Sequence, residues 1–333
     1  MGQPKRKRIS AFAILAMIVL ILDTKTILSG MQDGVSIALN NIIPTLFPFI
    51  FVSAFLNTSL IGRRISLLRS IGRLCKIPKG AESLLLLGLI GGYPVGAKII
   101  SENYHLGLLD RNSARRMLGF CNNAGPSFLI GMLAPMFTNT ASPYILWLIH
   151  ILSAIVVGII IPAESDSICT VRTIETTSLA NALETSLRTV AVISGWVVLF
   201  RGFVAVCEKW FLNRMSPAMS VILIGFLELS NGCIALTHIA EEHFRFVICS
   251  GMLAAGGICV ALQSKSIVGS LGLGMYLPGK MLQTAISLLL SVLCSFPLYS
   301  EFRFHVPILA SILIVSFGML TVTCLYLYFF RKR

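Results

Sequence analysis

The chain has 333 residues, of which 56% are hydrophobic and 12% charged, with a mean hydropathy of +0.85. Soluble domains carry about 25% charged residues, so this composition excludes a soluble globular fold and points to a polytopic membrane protein. The net charge of +13 sits at the ends of apolar runs, which is a topology signal rather than the interleaved basic surface of a nucleic-acid binder.

The N-terminus carries Lys5, Arg6, Lys7 and Arg8 ahead of an apolar run from Ala11 to about Leu22. No small-residue cleavage site follows, and Asp23 and Lys25 come next, so the reading is a retained first span over 11–29 with a cytoplasmic arm. A second span is expected over 35–57, loosened by Pro44 and Pro48. In 62–80, Ile65, Leu68, Ile71 and Cys75 recur at helical spacing among Arg64, Arg69, Arg73 and Lys76. This reads as a short helix lying in the cytoplasmic interface.

Residues 84–133 organise the chain. Two apolar segments there are broken at their centres, the first by Gly91, Gly92, Tyr93, Pro94 and Gly96, the second by Asn122, Asn123, Gly125, Pro126 and Ser127. A bilayer offers no water to free backbone groups, so such breaks persist only against protein or a polar cavity. An ordinary span over 143–162 and a polar Ser/Thr-rich divider over 163–180 follow. The second half is expected as 182–207, 217–238, 244–263, a glycine-rich run over 269–279, then 281–299 and 306–330, with a basic tail at 331–333.

The halves share a pattern. The segment from Ser36 aligns with that from Asn181. Gly88 falls on Gly225, with a second-half break at Ser230, Asn231 and Gly232. Cys121 falls on Cys249, and Gly125-Pro126 on Gly256-Gly257. The division is therefore 1–29, a first repeat over 30–162, a linker over 163–180, a second repeat over 181–300, and a C-terminal span with tail over 301–333. Making 84–100 and 218–238 re-entrant leaves eight spans and puts 21 of the 27 basic residues inside and five outside; letting both cross puts 17 inside and eight outside. The positive-inside rule prefers the first arrangement, with both termini cytoplasmic and the repeats inverted. The fold class expected is an all-α membrane bundle of two inverted repeats with broken or re-entrant helices and about eight spanning helices.

Proline after glycine suits the first turn of a new half-helix, whose free N–H groups and positive dipole end would hold an anion. Gly92, Tyr93, Pro94, Gly96, Lys98, Asn122, Asn123, Gly125, Pro126 and Ser127 are the substrate-binding candidates in the first half. Ser230, Asn231, Gly256, Gly257 and Gln263 take the corresponding places in the second. Arg201 and Glu228 are read as a structural ion pair or a coupling pair within the membrane. His150 reads as a helix contact. His238 and His243 lack metal-ligand spacing, and the nine cysteines contain no CxxC pair, so neither a metal site nor a cofactor is expected. No nucleophile motif is present, and the reading is not an enzyme. The expected partners are a small anionic solute and the lipid bilayer, with no nucleic acid; a homo-oligomer is left open.

The string Gly92-Tyr93-Pro94-Val95-Gly96-Ala97-Lys98, with Gly125-Pro126, Gly256-Gly257, Gln263, Arg115, Arg116 and Cys121, resembles the YlbJ-type sporulation integral membrane proteins, also called stage V sporulation protein V. The resemblance covers about residues 30–300. It extends to the wider set that shares a nucleoside-recognition, or gate, module with concentrative nucleoside transporters and the ferrous-iron transporter FeoB. It implies two gate-type repeats, transport, and placement in the outer forespore membrane facing the mother cell. The solute it implies is dipicolinic acid. Rival readings are a nucleoside or metal-cation carrier and a non-transporting scaffold, required for spore formation, that recruits partners through 62–80.

Overall fold

The computed structural model describes residue 14 and residues 17–63, 65–163, 178–299 and 306–331. The basic arm at 5–8, residues 164–177 of the divider, and the tail residues 332–333 lie outside the described residues. The described elements are helices, as the composition requires of a chain that must satisfy its backbone in lipid.

Helix α1 (Thr24–Ile37) runs through a π turn (Ala38–Ile42) into α2 (Ile43–Leu60). The expected separate spans over 11–29 and 35–57 are therefore corrected: no loop divides them, and Thr24–Leu60 is one helical run of 37 residues. Residues 30–34, which the sequence reading leaves between two spans, are instead part of the seam against α9 (Leu179–Trp210). A Cβ on Gly30 would stand 2.6 Å from Ala205 Cβ, and one on Gly34 2.8 Å from Val198 Cα. Small residues allow this approach, and Asp33 and Asp23 find Arg201 and Lys209 across it. The π turn falls where Pro44 withdraws its N–H from the helical ladder.

The expected interfacial helix is short, a 3-10 turn leading into α3 (Arg69–Leu74). Cys75 is fully buried, with its thiol 3.6 Å from the Ile155 carbonyl of α8 (Ser142–Ile160).

Next comes a helical hairpin of α4 (Glu82–Gly91) and α5 (Val95–His105). Cβ atoms built on Gly88 and Gly96 would lie 1.8 and 2.0 Å from the same atom, the Cys121 carbonyl oxygen. Residues eight apart on a straight helix are about 12 Å apart, so the chain folds back at Gly92–Pro94. The second half repeats this with α10 (Pro217–Leu227) and α11 (Leu229–Ala235). A Cβ on Gly232 would lie 2.2 Å from Gly225 Cα, so that pair folds back at Glu228. Both segments are hairpins, the arrangement that the basic-residue distribution favours.

Each hairpin precedes an interrupted helix. In the first half, α6 (Arg111–Met117) and α7 (Pro126–Met136) flank an extended break over 118–125. In the second, α12 (Glu242–Ala255) and α13 (Gly257–Val268) meet at left-handed Gly256, with φ +71°. Helix α8 then matches α14 (Tyr276–Leu298), and α15 (Val306–Arg331) ends the bundle.

Helices α2 and α9 run in opposite directions. The start of α9 shares a cleft with the end of α2, the end of α5 and the end of α13. The opposite end of α9 packs Cys207 and Leu212 with Phe137, Val221, Ile239 and Phe246. The two hairpins therefore open at opposite ends of α9, and α8 and α14 run antiparallel, with Ser142 at the start of one meeting Tyr299 at the end of the other.

Six helices are long and apolar enough to cross a membrane among the described residues: Thr24–Leu60, Ser142–Ile160, Leu179–Trp210, Glu242–Leu271, Tyr276–Leu298 and Ser311–Tyr328. About eight were expected. The difference comes from the fusion of the first two, and from the break over 118–125, which leaves neither α6 nor α7 long enough alone. Two apolar clusters fill the bundle, one holding Leu84, Ile99, Met117 and Phe120, the other Phe128, Leu146, Phe246 and Leu253. Their boundary passes through the breaks: Val95 lies in the first cluster and Tyr93 in the second.

Candidate functional site

All four predicted breaks exist, and they meet. Gly92 (φ +82°) sits so close to Gly125 that a Cβ on it would be 3.2 Å from the Gly125 nitrogen, which joins the two first-half breaks. A Cβ on Gly257 (φ +77°) would be 2.8 Å from the Gly225 carbonyl, which joins the two second-half breaks. Tyr93 links the halves: its hydroxyl donates to the Leu253 carbonyl at 3.2 Å, and its ring faces Gly256. Pro94 is the N-cap residue of α5, and Pro126 opens α7 with Gly125 as its cap.

Asn122 ties the breaks together. Its side-chain oxygen accepts from the Ala97 N–H at 3.1 Å, satisfying a free donor in the first turn of α5. Its amide donates to Ser264 of α13 at 3.0 Å. The Ala124 N–H donates to His150 Nε2 at 3.0 Å, so His150 is the helix contact expected. Ser127 keeps a buried hydroxyl without a hydrogen-bond partner.

Where the breaks meet lies a cavity of about 30 Å³, lined among others by Tyr93, Gly125, Phe128, Glu228, Ser230 and Gln263. That is room for about two waters, so the centre is too small for a solute molecule in this conformation. Gln263 is buried and donates to Cys259 Sγ at 3.3 Å.

Glu228 is not paired with Arg201. It caps α11 instead: its carboxylate accepts from the Ser230 N–H at 3.1 Å, the Asn231 N–H at 2.7 Å and the Asn231 side-chain amide at 2.6 Å. A carboxylate across three donors at a helix N-terminus is stabilised by the helix dipole and needs no arginine. Ser230 and Asn231 thus lie at the site, but their donors already hold an anion supplied by the chain. Arg201 pairs with Glu208 at 2.7 Å and Asp33 at 3.3 Å on the α1–α9 seam. Lys98 also departs from expectation. It bonds Glu102 at 3.2 Å and lines the cleft at the α5 end rather than the central cavity.

The cation at the centre is Lys280, which the sequence reading places in a cytoplasmic loop. It lies in the first turns of α14 and is 4% exposed. Its ammonium donates to Tyr93 Oη at 2.8 Å, Asn123 Oδ1 at 3.2 Å and Gln283 Oε1 at 2.6 Å, so three donors meet three neutral acceptors. Gln283 in turn donates to Asn123 Oδ1 at 2.9 Å. Among the described residues no carboxylate bonds Lys280. A signal for it exists in the sequence: Lys280, Gln283, Thr284, Ser287 and Ser291 form a polar stripe at helical spacing along an otherwise apolar helix.

Arg116, one of the residues carrying the resemblance, is structural. It donates to the carbonyls of Cys75 (2.8 Å), Gly158 (2.7 Å) and Ile161 (2.9 Å), locking the ends of α3 and α8.

No protein-family model matches the chain, and no solved structure matches it. The chain is 23% identical over 250 residues to the sporulation integral membrane protein YlbJ of Bacillus subtilis (strain 168). The match covers 66% of this chain and 60% of the relative, so the chain spans less than two thirds of that protein's length. The apolar helical bundle makes the chain an integral membrane protein, and in sequence it is similar to a sporulation integral membrane protein, YlbJ of Bacillus subtilis.

Proposed function

We propose that the chain is a transporter that carries a small anionic solute across a membrane by alternating access, and that it performs no covalent chemistry. The observation that supports this most is the meeting of four helix breaks, from two halves of opposite direction, at one closed central cavity. Inverted repeats with broken helices at the midplane suit a rocking exchange of access around a fixed site. Lys280 supports an anionic solute. A buried cation surrounded only by neutral acceptors leaves an unbalanced positive field, and Tyr93, which lines the cavity, stands directly against it. The free N–H groups at the start of α7 add to that field.

A metal-cation carrier fits less well. Glu228, the carboxylate on the cavity, has its oxygens occupied by three N–H donors. Within the anion class the resemblance favours an aromatic dicarboxylate, dipicolinate, moved during sporulation. The C-terminus then lies on the cytoplasmic side, the membrane is by the resemblance the forespore's outer membrane, and the solute and the bilayer are the partners.

The test is a thermal-shift panel on the detergent-purified protein with dipicolinate, other small dicarboxylates, nucleosides and divalent cations. A ligand at a hundred times its Kd stabilises the folded state by about 2.7 kcal/mol. The expected result is a shift with dicarboxylates that Asn123→Leu abolishes. A shift with nucleosides or cations alone would replace the solute. No shift, together with tolerance of substitution at the breaks, would favour the scaffold.

A further inference from the structure

Besides the small closed cavity, the molecule has a second void twenty times larger, about 600 Å³, at the end where hairpin α4–α5 opens. Its wall is mixed, with Asn57, Lys98, Glu102, Thr185, Arg188 and Thr189 set among apolar residues such as Ala54, Val192 and Ile267. Lys98 pairs with Glu102 at 3.2 Å, Asn57 donates to Glu102 at 3.4 Å, and Asn103 donates to Asn57 at 2.8 Å. Lipid tails would leave these groups unsolvated, so a wall of this kind in a membrane bundle faces water.

The two voids lie in series along the same three helices. On α9, Thr185, Thr189 and Val192 line the cleft, while Ile193 and Val197 line the cavity. On α13, Ser266 and Ile267 line the cleft, and Val260 and Gln263 the cavity. On the run through α2, Asn57 and Ala54 line the cleft, Ile42 and Leu46 the cavity. Between them stands one apolar layer, in which Ile50 is 1% and Ile193 2% exposed.

Resting on the transport reading above, we propose that this cleft is the aqueous vestibule of the transporter, that Ile50 and Ile193 form the gate between it and the solute cavity, and that the conformation described is open to this end. The same end carries Arg63, Arg69, Arg73, Lys76 and Lys79 in the segment before α4, so it is the basic and hence cytoplasmic end. Lys98 and Arg188 each stand beside a carboxylate, Glu102 at 3.2 Å and Glu184 at 3.8 Å, so the vestibule wall carries ion pairs rather than free cations. The solute thus meets water-exposed ion pairs first, then a thin apolar gate one helical turn thick, then the small central cavity.

The test is cysteine accessibility in membrane vesicles of known orientation, in a background with Cys169, Cys294 and Cys324 replaced by serine. Thr189→Cys and Thr58→Cys, on facing walls, are each treated with a charged, membrane-impermeant methanethiosulfonate. Leu199→Cys, on the outer face of α9, is the lipid-facing control, and Ile193→Cys probes behind the vestibule. The expected result is modification of both wall cysteines when the cytoplasmic face is exposed and not otherwise, with Leu199→Cys and Ile193→Cys unmodified. Absence of modification at both wall positions, or modification from the opposite face, overturns the vestibule whether or not the protein transports. Modified Thr189→Cys should also lose dicarboxylate flux in proteoliposomes. Full flux after complete modification would overturn the route, whereas absent flux in the unmodified protein would overturn the transport reading on which it rests.

Discussion

Replacing Lys280 with methionine separates the charge of the site from its packing. Methionine keeps the length of the side chain and removes the ammonium. Of the three acceptors left behind, Asn123 Oδ1 keeps the Gln283 amide at 2.9 Å and Tyr93 keeps its bond to Leu253 at 3.2 Å. Gln283 Oε1 alone loses its donor, at a cost of about 1–3 kcal/mol. Removing a buried cation returns several kcal/mol of desolvation. Folding stability should therefore change by no more than about 2 kcal/mol in either direction. Anion binding should change far more. Lys280 Nζ is 4.9 Å from the Tyr93 ring centroid, and the ring rather than the lysine lines the cavity. A bound carboxylate then lies roughly 8 Å from the ammonium, where an effective dielectric of about 20 gives about 2 kcal/mol per unit of solute charge. That corresponds to a loss of about 30-fold in affinity for a monoanion and about 1,000-fold for a dianion. Equilibrium binding of picolinate and dipicolinate to the two proteins reads both numbers. Equal losses for the two ligands, or no loss for either, would refute the electrostatic account of the site.

Three further outcomes follow from the same contacts. Glu228→Gln turns one acceptor into a donor facing the N-terminus of α11, and should cost about 2–4 kcal/mol in denaturant or thermal unfolding; a change below about 0.5 kcal/mol would contradict the capping role. Gly96→Ala puts a methyl 2.0 Å from the Cys121 carbonyl and should destabilise by about 1–3 kcal/mol or more. Gly195→Ala, with nothing within 4 Å of its Cβ, should be neutral or stabilise by up to about 1 kcal/mol, and the reverse order of the two would be inconsistent with the packing. Arg201→Met removes a charge already balanced by Asp33 and Glu208 on the α1–α9 seam, and should leave solute affinity unchanged.

The breaks were legible in the sequence because glycine and proline change the backbone wherever they fall, and a bilayer restricts where such changes survive. That is why Gly92–Pro94, Gly125-Pro126 and Gly256-Gly257 could be placed from the chain alone, and why the hairpins agree with the distribution of basic residues. Side-chain partners were less legible. Glu228 looked like half of an ion pair because buried charges need compensation, but backbone N–H groups at a helix start supply it as well as arginine does. Lys280 looked like an interfacial lysine because it follows a glycine-rich run with positive φ at Gly269, Gly272 and Gly274. Only the polar stripe of α14 pointed inward. Residues 30–34 fell between two expected spans because they are polar and glycine-containing, yet Gly30 and Gly34 are the small-residue seam that lets α1 lie against α9.

The central claim is that the meeting of the four breaks is a transport site. Its most direct measurement is uptake of radiolabelled dipicolinate into proteoliposomes containing the purified chain, beside the Gly125→Leu variant at matched insertion. Gly125 is packed between the Ile90 carbonyl and Gly92, with Cβ distances of 2.7 and 2.9 Å, so leucine there fills the junction of the two first-half breaks. Saturable uptake by the wild-type chain and none by the variant is the expected result. Equal uptake by both, or none by the wild-type chain for dipicolinate or any other small anion, would contradict the account.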